Sequence, residues 1–97
     1  MTGGAEAELV AECLWPDVSA ADLADLEGRI AEACAAHGQA VRYLGSLFMP
    51  QDEVVLCRFA GPLEAVREVA LAAQVPFGRL LEAHDTKEVA PHKSKNL

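Results

Sequence analysis

Residues 53–60 read Glu-Val-Val-Leu-Cys-Arg-Phe-Ala, a segment that is apolar on both sides when spaced as a β-strand. At the strand period, Val55, Cys57 and Phe59 share one side, and Val54, Leu56, Arg58 and Ala60 share the other. A strand greased on both faces has to be covered on both faces. The helices of a chain this short can cover one of them. The second face needs another cover, and Arg58 lies beneath it. Function is therefore expected on that second face.

The flanking pattern builds a sheet around this strand. Residues 7–15 alternate, with Leu9, Ala11, Cys13 and Trp15 on one side and Glu8, Val10, Glu12 and Leu14 on the other, before Pro16-Asp17 breaks the run. Ser19 is a good helix N-cap, and Asp22 three residues later supports a capping box. Leu23, Leu26, Ile30 and Cys34 then recur at helical spacing until Gly38, a plausible left-handed cap, with His37 in the last turn. Residues 39–49 read as a second strand, and Pro50-Gln51-Asp52 as a tight turn into the 53–60 strand. Gly61-Pro62 opens a second helix with Leu63, Val66, Val69 or Ala70, and Ala73 inward. Val75-Pro76 stops it, and residues 77–84 read as a last strand.

The order strand, helix, strand, strand, helix, strand predicts an α+β, ferredoxin-like βαββαβ fold. Its four-stranded antiparallel sheet has the first and third strands central and both helices on one face. Residues 1–6 are expected to be a flexible lead-in, residues 7–85 the single domain, and residues 86–97 a polar, aperiodic tail.

Composition narrows the function classes. The 97 residues suffice for one modest core, and 52% of them are hydrophobic. A net charge of −7 argues against nucleic acid, which is bound through clustered Lys and Arg. Cys13, Cys34 and Cys57 are an odd set without CxxC spacing, each inside an apolar segment. They read as buried reduced thiols, which suits a reducing cytoplasm. The N-terminal residues lack the basic and apolar regions of a signal peptide, and no stretch approaches the ~18 apolar residues of a membrane span. A soluble, cytoplasmic protein without nucleic-acid or membrane partners is expected.

With Val55, Cys57 and Phe59 turned toward the helices, Val54, Leu56 and Arg58 fall on the bare side, joined by Val10, Glu12 and Leu14. For the second strand, the set containing Arg42, Leu44, Ser46 and Phe48 and the set containing Tyr43 are alternatives. The parity of the last strand is equally open. The resulting apolar patch is large for a monomer surface. A second copy packed about a two-fold axis covers it, which predicts a homodimer: a dimeric α+β barrel with a chamber between the sheets. A partner-binding adaptor, its bare face covered by another protein, is the competing class.

Glu12 and Arg58 are the charged residues of that chamber, and they read either as a structural ion pair or as a ligand site. In the second reading Arg58, with Arg42, orients or polarises an oxygen, and Glu12 accepts a proton, its pKa raised by desolvation. Tyr43 and Ser46 can add hydroxyls. Separately, His84 and Asp85 at the end of the last strand, with His92 in the tail, can supply two imidazoles and a carboxylate to a metal ion. There is no GxGxxG, Walker loop, GxSxG or HExxH.

Several stretches taken together resemble a known family. Val-Arg-Tyr-Leu-Gly-Ser-Leu-Phe-Met-Pro-Gln-Asp-Glu-Val (41–54), Cys57-Arg58-Phe59, Glu64-Ala65-Val66-Arg67-Glu68 and Val75-Pro76-Phe77-Gly78-Arg79-Leu80-Leu81-Glu82 are similar to small bacterial proteins grouped as domain of unknown function 4242. The resemblance spans most of Leu9 to Ala83. It implies a ferredoxin-like domain, and one member is described as a nickel-binding dimer. Members often carry Phe-Glu-Ala-Pro before the second helix. This chain has Phe59-Ala60-Gly61-Pro62, so Ala60 replaces a carboxylate of the bare face.

Two functions follow as expectations. The first is a homodimer that binds a metal ion, Ni2+ by resemblance, or a small ligand at or near the inter-sheet cavity. The second is a cofactor-free enzyme of the isomerase, cyclase or monooxygenase type acting on an apolar, oxygen-bearing substrate, with Arg58, Arg42, Glu12 and Tyr43 in the cavity.

Overall fold

Ser19 starts the first helix by the mechanism its side chain suggests. Its hydroxyl accepts from the Asp22 N–H and the Asp22 carboxylate accepts from the Ser19 N–H, both at 3.0 Å. This reciprocal capping box satisfies donors that a helix start leaves orphaned. The Asp22 carboxyl is held below its ordinary pKa by these bonds. Gly38, with φ of +64°, turns the chain out of the helix after His37.

The structure, a computed structural model, describes residues 8–38 and 40–88. The elements are β1 (Glu8–Leu14), α1 (Ala20–Ala36), β2 (Arg42–Met49), β3 (Val54–Ala60), α2 (Leu63–Ala72) and β4 (Arg79–Ala83), followed by a 3-10 turn at Thr86–Glu88. The sheet order is β2-β3-β1-β4 with every neighbouring pair antiparallel, the ferredoxin-like arrangement. The expected lead-in and most of the tail, His92 included, lie outside the described residues.

The core fills one face of the sheet. Leu9, Ala11 and Cys13 of β1 and Val55, Cys57 and Phe59 of β3 are buried with Leu26, Ile30 and Ala33 of α1 and Val66, Val69 and Ala70 of α2. Arg29 fastens the two helices together, its Nε donating to the Ala73 carbonyl at 2.7 Å. Leu63 is exposed rather than inward, and the packed stripe of α2 begins one turn later at Val66. The three thiols are free, with Cys13 and Cys57 buried and Cys34 partly so. Burial pushes the Cys34 thiol up, disfavouring the thiolate. Among the described residues, no helix is long and apolar enough to cross a membrane.

β2 follows neither of the strict alternations its sequence offers. Tyr43 stands opposite Phe59, but the next β3 residue, Arg58, stands opposite Gly45. Leu44 is thus an extra residue, a β-bulge, and Gly45 takes a φ of +107° that few other residues tolerate. Parity switches at the bulge. Tyr43, Ser46 and Phe48 therefore lie on the helix side with Phe59, Cys57 and Val55, while Arg42, Gly45, Leu47 and Met49 lie on the other.

β4 is shorter than residues 77–84 because the chain is still turning at Phe77. The Phe77 N–H donates to the Val75 carbonyl at 2.8 Å, and the Gly78 N–H to the Glu12 carbonyl at 2.9 Å. Leu80 then packs against the core, which sends Arg79, Leu81 and Ala83 to the open face.

Candidate functional site

The face opposite the helices carries Val10 and Leu14 from β1, Val54 and Leu56 from β3, Leu47 and Met49 from β2, and Leu81 from β4. Three of these leucines are strongly exposed for apolar groups: Leu14 at 72%, Leu47 at 54% and Leu81 at 37%. The period of two in β1 and β3 dictates this, since burying Cys57 and Phe59 on one side forces Leu56 and Arg58 to the other.

Two ion pairs cross this greasy surface. Arg58 Nε donates to Glu8 Oε2 at 2.8 Å, and Arg79 Nε donates to Glu12 Oε1 at 2.7 Å. Glu12 and Arg58 thus share the face but not a bond. Glu12 stands opposite Leu56 on β3 and opposite Arg79 on β4, whereas Arg58 stands opposite Val10. The Arg79 bond holds the Glu12 carboxyl below the usual carboxylate range. The expected upward shift by desolvation is overturned in the single chain, because β4 brings a guanidinium directly alongside a carboxylate that stays in contact with water.

The other candidates divide between faces. Arg42 is exposed and stands opposite Ala60, on the side of Arg58. Tyr43 is on the helix side, where its ring lies 5.5 Å from that of Phe59. Its hydroxyl donates to Glu27 Oε2 at 2.6 Å and also contacts the Ser46 hydroxyl. Burial, reinforced by the Glu27 carboxylate, pushes the Tyr43 pKa up. The sheet separates Tyr43 and Ser46 from Glu12 and Arg58, so these hydroxyls do not join that site. Ala60, where the resembling family often has a carboxylate, stands opposite Glu8 on β1. The open face therefore keeps a carboxylate at this level, supplied by the neighbouring strand.

The described residues do not fit a metal centre. No group of three His, Cys, Asp or Glu side chains converges among them. His84 Nε2 faces Glu82 Oε2 at 3.6 Å, and Asp85 Oδ1 caps the following turn by accepting the Lys87 N–H at 2.8 Å. The third expected ligand, His92, lies outside the described residues.

A groove of about 390 Å³ opens where the α2–β4 connection passes the end of β1, lined by Glu12, Leu14, Val54, Pro76, Phe77 and Gly78. Sequence reasoning overlooked this groove and the roles of Glu8 and Arg79. Glu8 was legible from β1 parity, since it shares a side with Val10 and Glu12. Arg79 depended on the parity of β4, which alternation alone left open.

No family model matches the chain, and no curated protein matches it. Its fold is similar to the crystal structure of SCO4226 from Streptomyces coelicolor A3(2), with a TM-score of 0.66 and 16% sequence identity, covering 78% of this chain and 94% of that one. At that identity the likeness speaks for the fold, which the two chains share.

Proposed function

We propose that this protein is a small-ligand-binding module that works as a homodimer, two open sheet faces packed over a common chamber. One observation carries the reading: the sheet face without helices is largely apolar, and the arginines among its leucines, Arg58 and Arg79, are paired with Glu8 and Glu12. Exposed leucines on a continuous face are unfavourable in water by roughly 25 cal/mol per Å² of apolar area, and packing removes that penalty. A second copy is the fitting cover. A two-fold interface sets a patch against itself, and Glu8 with Arg58 and Glu12 with Arg79 cancel in pairs, so these four groups give the twin face no excess charge to repel. The resemblance to the domain of unknown function 4242 proteins, which include a dimer, supports the same assembly.

Binding is favoured over acid–base catalysis by the state of Glu12. A carboxylate held ionised by Arg79 is a poor proton acceptor near neutral pH, but a good anchor for a ligand hydrogen-bond donor. The free thiols suit a reducing cytoplasm as the place of action. Sedimentation equilibrium at micromolar concentration tests the assembly. A mass twice that of the chain is expected, and a monomer across the micromolar range refutes the reading.

A further inference from the structure

The groove is lined by Glu12 together with Leu14, Val54 and Phe77, and Arg79 pairs with that carboxylate from outside the lining, which offsets its charge. We propose that this groove binds a small, neutral molecule bearing a hydroxyl, its apolar body between Leu14, Val54 and Phe77 and its hydroxyl on the Glu12 carboxylate oxygen that Arg79 Nε does not use. This deepens the reading of the open face as the ligand-binding surface, although the groove itself lies within one chain.

The argument starts from size. About 390 Å³ is near the lower end of ligand-binding clefts, which excludes large substrates. The walls are fixed before any ligand arrives. The Gly78 N–H ties the α2–β4 connection to the Glu12 carbonyl at 2.9 Å, and the ring of Pro76 restricts the backbone beside it. Phe77 packs partly against the core, which holds its ring in place.

The polar pair then selects the ligand. A carboxylate has two oxygens and a guanidinium five N–H donors. The Arg79 Nε to Glu12 Oε1 bond, at 2.7 Å, uses one of each. Glu12, the member of the pair that lines the groove, therefore keeps one carboxylate oxygen as an acceptor. A ligand hydroxyl can donate to that carboxylate oxygen. A charged ligand is different. Beside apolar walls its extra charge loses water and finds a partner already neutralised, so it gains least where desolvation is greatest.

Three aromatic isosteres test this: 1-naphthol, 1-naphthoate and 1-naphthylmethylammonium, titrated at neutral pH into isotopically labelled protein while backbone amide resonances are followed. The neutral naphthol is expected to move the Leu14, Phe77 and Gly78 amides and to bind about tenfold more tightly than either ion, roughly 1.4 kcal/mol. Phe77→Ala should weaken naphthol about fivefold by removing a wall. Leu14→Glu, at a residue 72% exposed in the single chain, adds a second carboxylate to the groove and should turn the preference toward the ammonium ion, in the monomer if the charge separates the copies. Equal affinities for the three compounds, tighter binding of either ion, no naphthol binding at millimolar concentration, or shifts confined to other residues would overturn the proposal. Sedimentation of the same samples separates the two claims. Naphthol at Gly78 on a monomer sinks the homodimer alone, and a dimer blind to naphthol sinks the groove ligand alone.

Discussion

The two faces of the sheet are built from the same strands, and often from adjacent residues, yet they solve opposite problems. On the helix side, Cys57 and Phe59 vanish among Leu26, Ile30, Val66 and Val69, and no charged side chain is buried there. On the other side, Leu56 and Arg58 stand one residue away and meet no helix. There, charge stands beside the leucines, Arg58 matched with Glu8 and Arg79 with Glu12, with Arg42 opposite Ala60. The contrast teaches that apolar content alone does not mark a core. What distinguishes the open face is apolar surface combined with paired charge.

Substitutions on either side can break this contrast. The largest effect is expected from Phe59→Ala, which leaves a cavity between the sheet and both helices. Urea unfolding should show a loss of about 3–5 kcal/mol, with an unchanged transition slope. If Phe59→Ala is nearly neutral, the helix side is not the stabilising face. On the open side, Leu56→Glu should cost monomer unfolding about 1 kcal/mol, less than Phe59→Ala, since it replaces a half-buried side chain and faces Glu12 across the strands. The same change buries an unpaired charge in the proposed interface. It should weaken the dimer by roughly 3 kcal/mol, over a hundredfold in dissociation constant. A dimer indifferent to Leu56→Glu would mean that the copies meet elsewhere.

The smallest effect sharpens the electrostatic half of the contrast. Folding lowers the Glu12 pKa, so the unfolded chain takes up its proton more readily. The stability contributed by this group is complete above the ordinary carboxylate value and is lost as pH falls through the lowered one. Glu12→Gln should therefore be slightly less stable than the parent at neutral pH and converge with it in acid, which flattens the acid side of the stability–pH curve below pH about 4.5. An acid limb as steep as that of the parent would show that Arg79 does not govern Glu12.

The helices were legible because their signals are local. Ser19 and Asp22 announce the start of α1 within one turn, and Leu26 and Ile30 repeat at the helical period. The central strands were legible because each alternates without interruption, so the assignment of Val10, Glu12, Leu56 and Arg58 to one face needed no knowledge of their neighbours. Elsewhere the sequence ran out for physical reasons. In β2, the extra residue at Leu44 moves everything after it to the other side of the sheet, and only the pairing with β3 reveals the slip. In β4, five residues contain too little alternation to fix parity. Arg79 was consequently unassigned, and with it the partner of Glu12. The groove was invisible for a further reason: Val54 and Phe77 are distant in sequence, and nothing in either neighbourhood records that β1 lies beside both.

The placement of Arg79 has a dynamic consequence. β4 is the shortest strand and lies at the rim of the sheet, hydrogen-bonded to β1 alone. Rim segments with a single neighbour open at free energies well below that of global unfolding. Whenever this ribbon detaches, the guanidinium leaves with it, and the Glu12 carboxylate is briefly without its counter-ion. The charge balance at Glu12 is thus tied to the opening of β4, so a molecule that bridges β1 and β4 would slow that motion simply by being bound.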